Sequence, residues 1–212
     1  MKSSQLFNLK IYQPWVLIQL LMLTLSQVSV AQTTPPPTVR LRGEVTQVNP
    51  QQLVIKDRSG ESLVVSIGEN IPVSEAYPVG IETIQPNSFI GTAAVPGSDG
   101  TLNALEVLVF PEAARGTGEG HFPWDLQPGS TMTNATVSKV APSSSSYEMQ
   151  LQYKGGEKAV MIPKGVPIVS IRPGNQALLV PGAQVVIVAK KDAGNWVAVR
   201  VTTGKNGFKP PM

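Results

Sequence analysis

The chain repeats itself, and that repetition limits its possible folds more than any other feature. Pro72 and Pro86 stand 14 residues apart, and so do Pro167 and Pro181. Gly-Glu-Asn-Ile-Pro72-Val matches Lys-Gly-Val-Pro167-Ile-Val, and the turn glycines Gly100 and Gly194 follow the second prolines by 14 and 13 residues. Matched spacing of this kind marks a duplicated structural unit, here of about 70 residues. In the first copy, 39–48, 53–57 and 62–67 read as strands, with Gly43 where the first must bend and a hairpin turn at 58–61. Residues 71–86 are too rich in proline and glycine for a good helix, with room for one short turn. A closing hairpin, 88–95 and 102–110, follows. The second copy runs the same way, through 135–141, 147–153 and 158–163 to a closing hairpin at 184–190 and 196–201.

Each copy therefore offers about five strands and almost no helix. Small sheets of that length hide their edges by curling up. The sequence predicts an all-β chain of two tandem five-stranded OB-like small barrels, 39–110 and 134–204, with a small two-sheet sandwich as the alternative. A glycine-rich linker, 111–133, joins them, and a tail, 205–212, lies over the second.

The N-terminus supplies an address. Lys2 and Lys10 precede the apolar run 15–25, and Ser29-Val30-Ala31 follows as a small-x-small cleavage site. That order reads as a secretory signal peptide, 1–31, rather than an uncleaved anchor, because the run is short for a bilayer. A Pro-rich spacer, 32–38, comes next. With no cysteine in the chain, disulfides are excluded, which suits a bacterial periplasm or exterior. The expected localisation is periplasmic or secreted, with no transmembrane segment in the mature chain.

Removing Lys2 and Lys10 lowers Lys+Arg from 17 to 15 against 14 acids, so the mature chain is nearly neutral. The charge is uneven: 39–110 holds 4 basic and 8 acidic residues, 134–212 holds 10 and 3. Opposite signs favour contact between the halves or turn the second toward an anionic surface. Near-neutral charge, sparse aromatics and export all argue against nucleic acid as a partner.

Residues that chemistry can use concentrate in the linker, Arg115-Gly-Thr-Gly-Glu-Gly-His121-Phe-Pro-Trp124-Asp125. Its alternating glycines suit a strap lying across the groove between barrels, with Trp124 plugging one core. The functional reading makes Arg115, Glu119, His121, Trp124 and Asp125 a ligand site, such as Trp124 stacking on a sugar ring held by Arg115 and Asp125. A metal at Glu119, His121 and Asp125 is the other option, weak because one histidine and no cysteine leave the remaining ligands to oxygen. No catalytic residues are expected: one histidine and no cysteine leave little material for a nucleophilic triad.

These segments also carry a resemblance. PEAARGTGEGHFPWD (111–125), GSTMTNAT (129–136), the turn at 153–158 and the closing GKNGFKPPM (204–212) resemble a family of bacterial exported proteins with tandem OB-like domains of unknown function. Relatives often carry the label "metal ABC transporter permease". This chain does not fit that label, since its longest apolar run after Ala31 is five residues, 185–189. The resemblance implies fold and export, and no activity. The function expected from the sequence is a non-catalytic binding or scaffolding module of the cell envelope, without a cofactor. Its partner would be an envelope protein or anionic envelope polymer. The alternative is a periplasmic accessory for divalent-metal handling.

Overall fold

The computed structural model of the chain describes residues 37–97 and 100–211. The expected signal peptide and most of the Pro-rich spacer lie outside them. Among the described residues the chain is all-β, as its turn spacing required, and forms thirteen strands in one continuous sheet. In chain order these are β1 (Thr38–Asn49), β2 (Gln52–Asp57), β3 (Ser62–Ser66), β4 (Val73–Pro78), β5 (Phe89–Pro96), β6 (Leu102–Val109) and β7 (Gly120–Pro123). The second repeat contributes β8 (Thr131–Pro142), β9 (Ser146–Tyr153), β10 (Gly156–Pro163), β11 (Ile168–Pro173), β12 (Gln184–Asp192) and β13 (Asn195–Gly204). Short 3-10 turns at Ile81–Thr83 and Gln176–Leu178 sit in the two proline-bounded connections.

The repeats do not close on themselves. Strand β1 pairs antiparallel with β2 on one side and with β12, from the other repeat, on the other. Strand β13 pairs with β12 and lies parallel to β3, which completes a ring in the order β1-β2-β3-β13-β12. The second ring mirrors the first: β8 pairs with β9 and with β5, and β6 lies parallel to β10. Each ring thus takes a three-strand meander from one repeat and the closing hairpin of the other. The expected units 39–110 and 134–204 are sequence repeats, and neither is a packed unit.

The packing shows the same exchange. One core gathers Val45, Leu53, Ile55 and Val65 with Val185, Ile187 and Val201. The other gathers Ile90, Val107 and Val109 with Val137, Met149, Leu151 and Val160. Fully burying side chains such as Leu53, Ile55 and Ile187, all 0% exposed, stabilises the fold by about 1.5–3 kcal/mol each. That energy is realised only when both repeats are present.

The crossing is made by β4 and β11, the strands hidden in what the sequence offered as loops. Val73 is buried in the first core, whereas Val79, Ile81 and Ile84 pack into the second. The six residues of β4 span roughly 20 Å between them. Strand β11 makes the return trip, from Ile168 beside the second core to Leu179 and Ala183 in the first. The two crossing strands pair antiparallel, with Ile171 opposite Ala76. That pair is separated by 171 − 76 = 95 residues, the same offset as Pro167 − Pro72, so a pseudo-twofold axis passes through it.

Gly43 earns its place where β1 is shared. It pairs with Val185 of β12 and Asp57 of β2, and a Cβ there would sit 2.3 Å from the Lys56 carbonyl oxygen. The tail turns back through a Phe208 N–H donating to the Lys205 carbonyl, which returns Lys209 and Pro210 to the β1–β12 side. No helix among the described residues is long and apolar enough to cross a membrane.

Candidate functional site

The strap is more ordered than a linker. After a single turn at Glu112–Ala114 it passes two positive-φ glycines, then lays β7 against the first half of β8, with His121 opposite Thr133. At Gly118 (φ 57) the backbone needs a conformation that other residues resist. The Asn134 amide fixes it there by donating to the Thr117 and Gly118 carbonyls at 3.2 and 3.1 Å. The strap's sequence therefore specifies both its path and its register.

That path divides the five sequence-selected side chains. Three hold the strap down. Arg115 is bridged to Glu112 and donates to the Asn87 carbonyl at 2.8 Å. The Glu119 carboxylate accepts from the Lys154 N–H at 2.9 Å. His121 Nδ1 lies 2.8 Å from the Thr133 hydroxyl, and its ring stacks on Tyr153 with centroids 6.4 Å apart. Burial, then the nearby Lys158 charge, push the His121 pKa below its usual value, so the neutral ring is favoured. Glu119, His121 and Asp125 thus face different partners, and no three His, Asp or Glu side chains among the described residues gather into a metal-binding group.

Trp124 and Asp125 go elsewhere. Trp124 joins neither hydrophobic core, contrary to the expectation that it plugs one. The Arg40 guanidinium lies 3.6 Å above its ring centroid, and Phe122 packs beside it. A cation over an indole face is attracted by the ring's quadrupole, which keeps Trp124 at the strap–strand junction. Asp125 receives a 2.7 Å hydrogen bond from Arg42 and lies 3.7 Å from Arg40. Burial raises its pKa, but the Arg42 hydrogen bond and the charges of Arg42 and Arg40 outweigh that and hold it below the usual carboxylate range.

Arg40 and Arg42 are neighbours on one face of β1, because side chains two apart in a strand point the same way. Arg58, on the β2–β3 turn, joins them: the pKa values of Arg40 and Arg58 are both lowered, first by burial and then in part by the other cations. Beneath them lies Glu106 of β6, only 1% exposed. Val107 and Val109 face the second core, so Glu106, on the opposite face of β6, points out of it. Burial pushes its pKa up to about 7, while Arg42 and Arg58 pull it down. Its Oε2 is buried and has no hydrogen-bond partner.

A cavity of about 190 Å³ opens beside this cluster. Its wall brings Arg42, Lys56, Arg58 and Lys209 together with Glu44, Asp57 and Gln184. Gln184 donates to Glu44 at 2.9 Å, and Asp57 is occupied by the N–H groups of Ser59 and Glu61 in its own turn. Arg42 is engaged by Asp125, so the exposed Lys56, Arg58 and Lys209 are the cations best placed to receive a ligand. Sequence reasoning missed Arg42, Arg58, Glu106 and Lys209. The signals were present: Arg40-x-Arg42 puts two cations on one strand face, and Glu106 is the lone charge in the apolar strand LNALEVLVF. Comparison with protein-family models, curated proteins and solved structures finds no match for this chain.

Proposed function

We propose that this chain is an exported, non-catalytic binding module of the bacterial cell envelope that holds an anionic group in the cavity between β1, β12, the β2–β3 turn and the C-terminal tail. The single observation that carries this is the convergence of Arg42, Lys56, Arg58 and Lys209 on one cavity, although Arg42, Lys56 and Arg58 come from the more acidic half of the chain. The strand order of each ring, with the third strand parallel to the last, supports the OB-like description, built here with exchanged hairpins. The N-terminal order of charged, apolar and small residues supports export. Binding is favoured over catalysis because the single histidine is committed to Thr133 and Tyr153 as a fastener of the strap.

The test is thermal melting of the full-length protein against anionic polymers, inorganic oxyanions and divalent metals. A ligand that binds only the folded state stabilises it by about 2.7 kcal/mol at a hundredfold excess over Kd. Lys56, Arg58 and Lys209 are exposed, so replacing all three with Gln leaves the cores intact. An anion-dependent rise that this triple variant loses supports the reading, and a rise the variant keeps places the ligand elsewhere. A rise with a divalent metal that His121→Ala abolishes would carry the metal-handling alternative instead.

A further inference from the structure

We infer that the cavity beside Arg42 and Arg58 takes a tetrahedral oxyanion of the phosphate or sulfate type, and that the anion enters together with one proton, which goes to the buried Glu106 carboxylate. The inference rests on the anion-binding reading and adds the ligand's chemistry and its coupling to pH.

The size and the donors fit. The cavity of about 190 Å³ holds several waters' worth of volume, room for one small oxyanion with its remaining hydration. Its wall offers guanidinium and ammonium donors, and guanidinium forks match the oxygen spacing of such anions.

The coupling follows from charge. The cavity wall sets Arg42, Lys56, Arg58 and Lys209 against Glu44 and Asp57, and Glu106, coupled to Arg42 and Arg58, makes it four cations against three carboxylates. With Glu106 ionised the cluster carries a net +1, and with Glu106 protonated it carries +2. A dianion held by Arg42 and Arg58, which line the cavity and also act on the buried Glu106, repels the charged form of that carboxylate. Protonation removes that repulsion and frees the field of Arg42 and Arg58 for the ligand. Glu106 sits poised for the exchange, at about 7.

Among the described residues, the strands paired with β6 beside Glu106 offer no other free titratable group for the role. Strand β5 offers Thr92 and Ala93 opposite it, neither of which titrates. Strand β11 lies alongside through Ile168 to Ser170, and its Arg172 is bridged to Glu75. From β1 and the β2–β3 turn come Arg42 and Arg58, and Asp125 on the strap is held below the usual carboxylate range by Arg42 and Arg40.

The experiment is calorimetric titration of the full-length protein with sodium sulfate at fixed ionic strength, from pH 6.5 to 8.5. Sulfate does not itself titrate there. The expected result is affinity that weakens by up to about tenfold per pH unit above neutrality. Proton uptake, read from two buffers of different ionisation enthalpy, accompanies it, and both effects vanish in Glu106→Gln. The Glu106 side-chain carboxyl signal in ¹³C NMR supplies an independent reading: sulfate must move its titration midpoint upward. Sulfated dextran at equal sulfate concentration separates a free ion from a polymer-borne group, since a site for the latter binds the dextran far more tightly. Failure of both anions at every pH overturns the anion-binding reading itself. Binding without pH dependence, or with a dependence that Glu106→Gln retains, overturns the proton coupling and leaves the binding site standing.

Discussion

Replacing Glu106 with Gln should stabilise this protein in alkali and leave it nearly unchanged in acid. The carboxyl is 1% exposed, and its pKa rises from an ordinary 4.5 to about 7 on folding. A folded-state pKa above the unfolded one means that the folded chain binds the proton more tightly. The resulting stability is full below pH 4.5 and is lost as pH rises through about 7. The difference of 7 − 4.5 = 2.5 units corresponds to about 3 kcal/mol, most of it lost between pH 5 and 8.5. Gln is uncharged in both states and carries no such dependence. The variant should therefore match the wild type near pH 4.5 and exceed it by about 3 kcal/mol at pH 8.5, or roughly 6–12 °C in Tm for a chain of this size. Urea unfolding at the two pH values, in chloride buffers free of sulfate and phosphate, gives the difference directly. Other titrating groups cancel in that comparison. A stability difference between wild type and variant that is the same at both pH values would refute the burial argument.

Three further outcomes follow from the geometry. Asp125→Asn removes the carboxylate that faces Arg42 at 2.7 Å and should cost about 1 kcal/mol in urea unfolding at pH 7, because Asp125 itself is half-exposed. Its pKa is depressed in the fold, so this contribution is present above the ordinary 3.8 and fades as pH falls through the lowered value, and the variant's deficit should fade with it. Gly43→Ala places a Cβ 2.3 Å from the Lys56 carbonyl, a backbone atom that cannot swing aside, and should cost on the order of 3 kcal/mol by the same measurement. His121 should titrate below 6.5 by NMR, and Lys158→Gln should move its midpoint up toward that value.

Much of this fold was legible in the sequence because its strands are local objects. Alternating apolar residues and glycine turns mark β2, β3, β9, β10 and both closing hairpins to within one to three residues. Strands β4 and β11 were not legible: Val73-Ser-Glu-Ala-Tyr-Pro78 has proline at its end, and its adjacent polar residues Ser74 and Glu75 break any alternation. Their strand character comes from pairing with each other and with β13 and β6. The exchange of hairpins leaves no trace in one sequence, because the apolar faces of β5–β6 and β12–β13 satisfy either partner meander equally well. The site divides the same way. Trp124 and Asp125 stood out in the strap, but Arg42 lies 83 residues from Asp125 and becomes its partner only through the fold. Glu106 was readable in principle, as the single carboxylate of an otherwise apolar strand, on the face turned away from the second core.

The exchange is the claim on which cores, crossing strands and the arginine cluster all depend, and cutting the chain tests it most directly. Gln127, Pro128 and Gly129 form an exposed loop before β8, and a protease site placed there separates the repeats without touching a strand. After cleavage the halves should stay together as a folded 1:1 pair. Separated in urea and refolded alone, neither half should give a folded monomer, and mixing them should restore the native sheet signal. A half that refolds alone as a monomer with dispersed amide resonances would show that each repeat closes on itself, and would contradict the account.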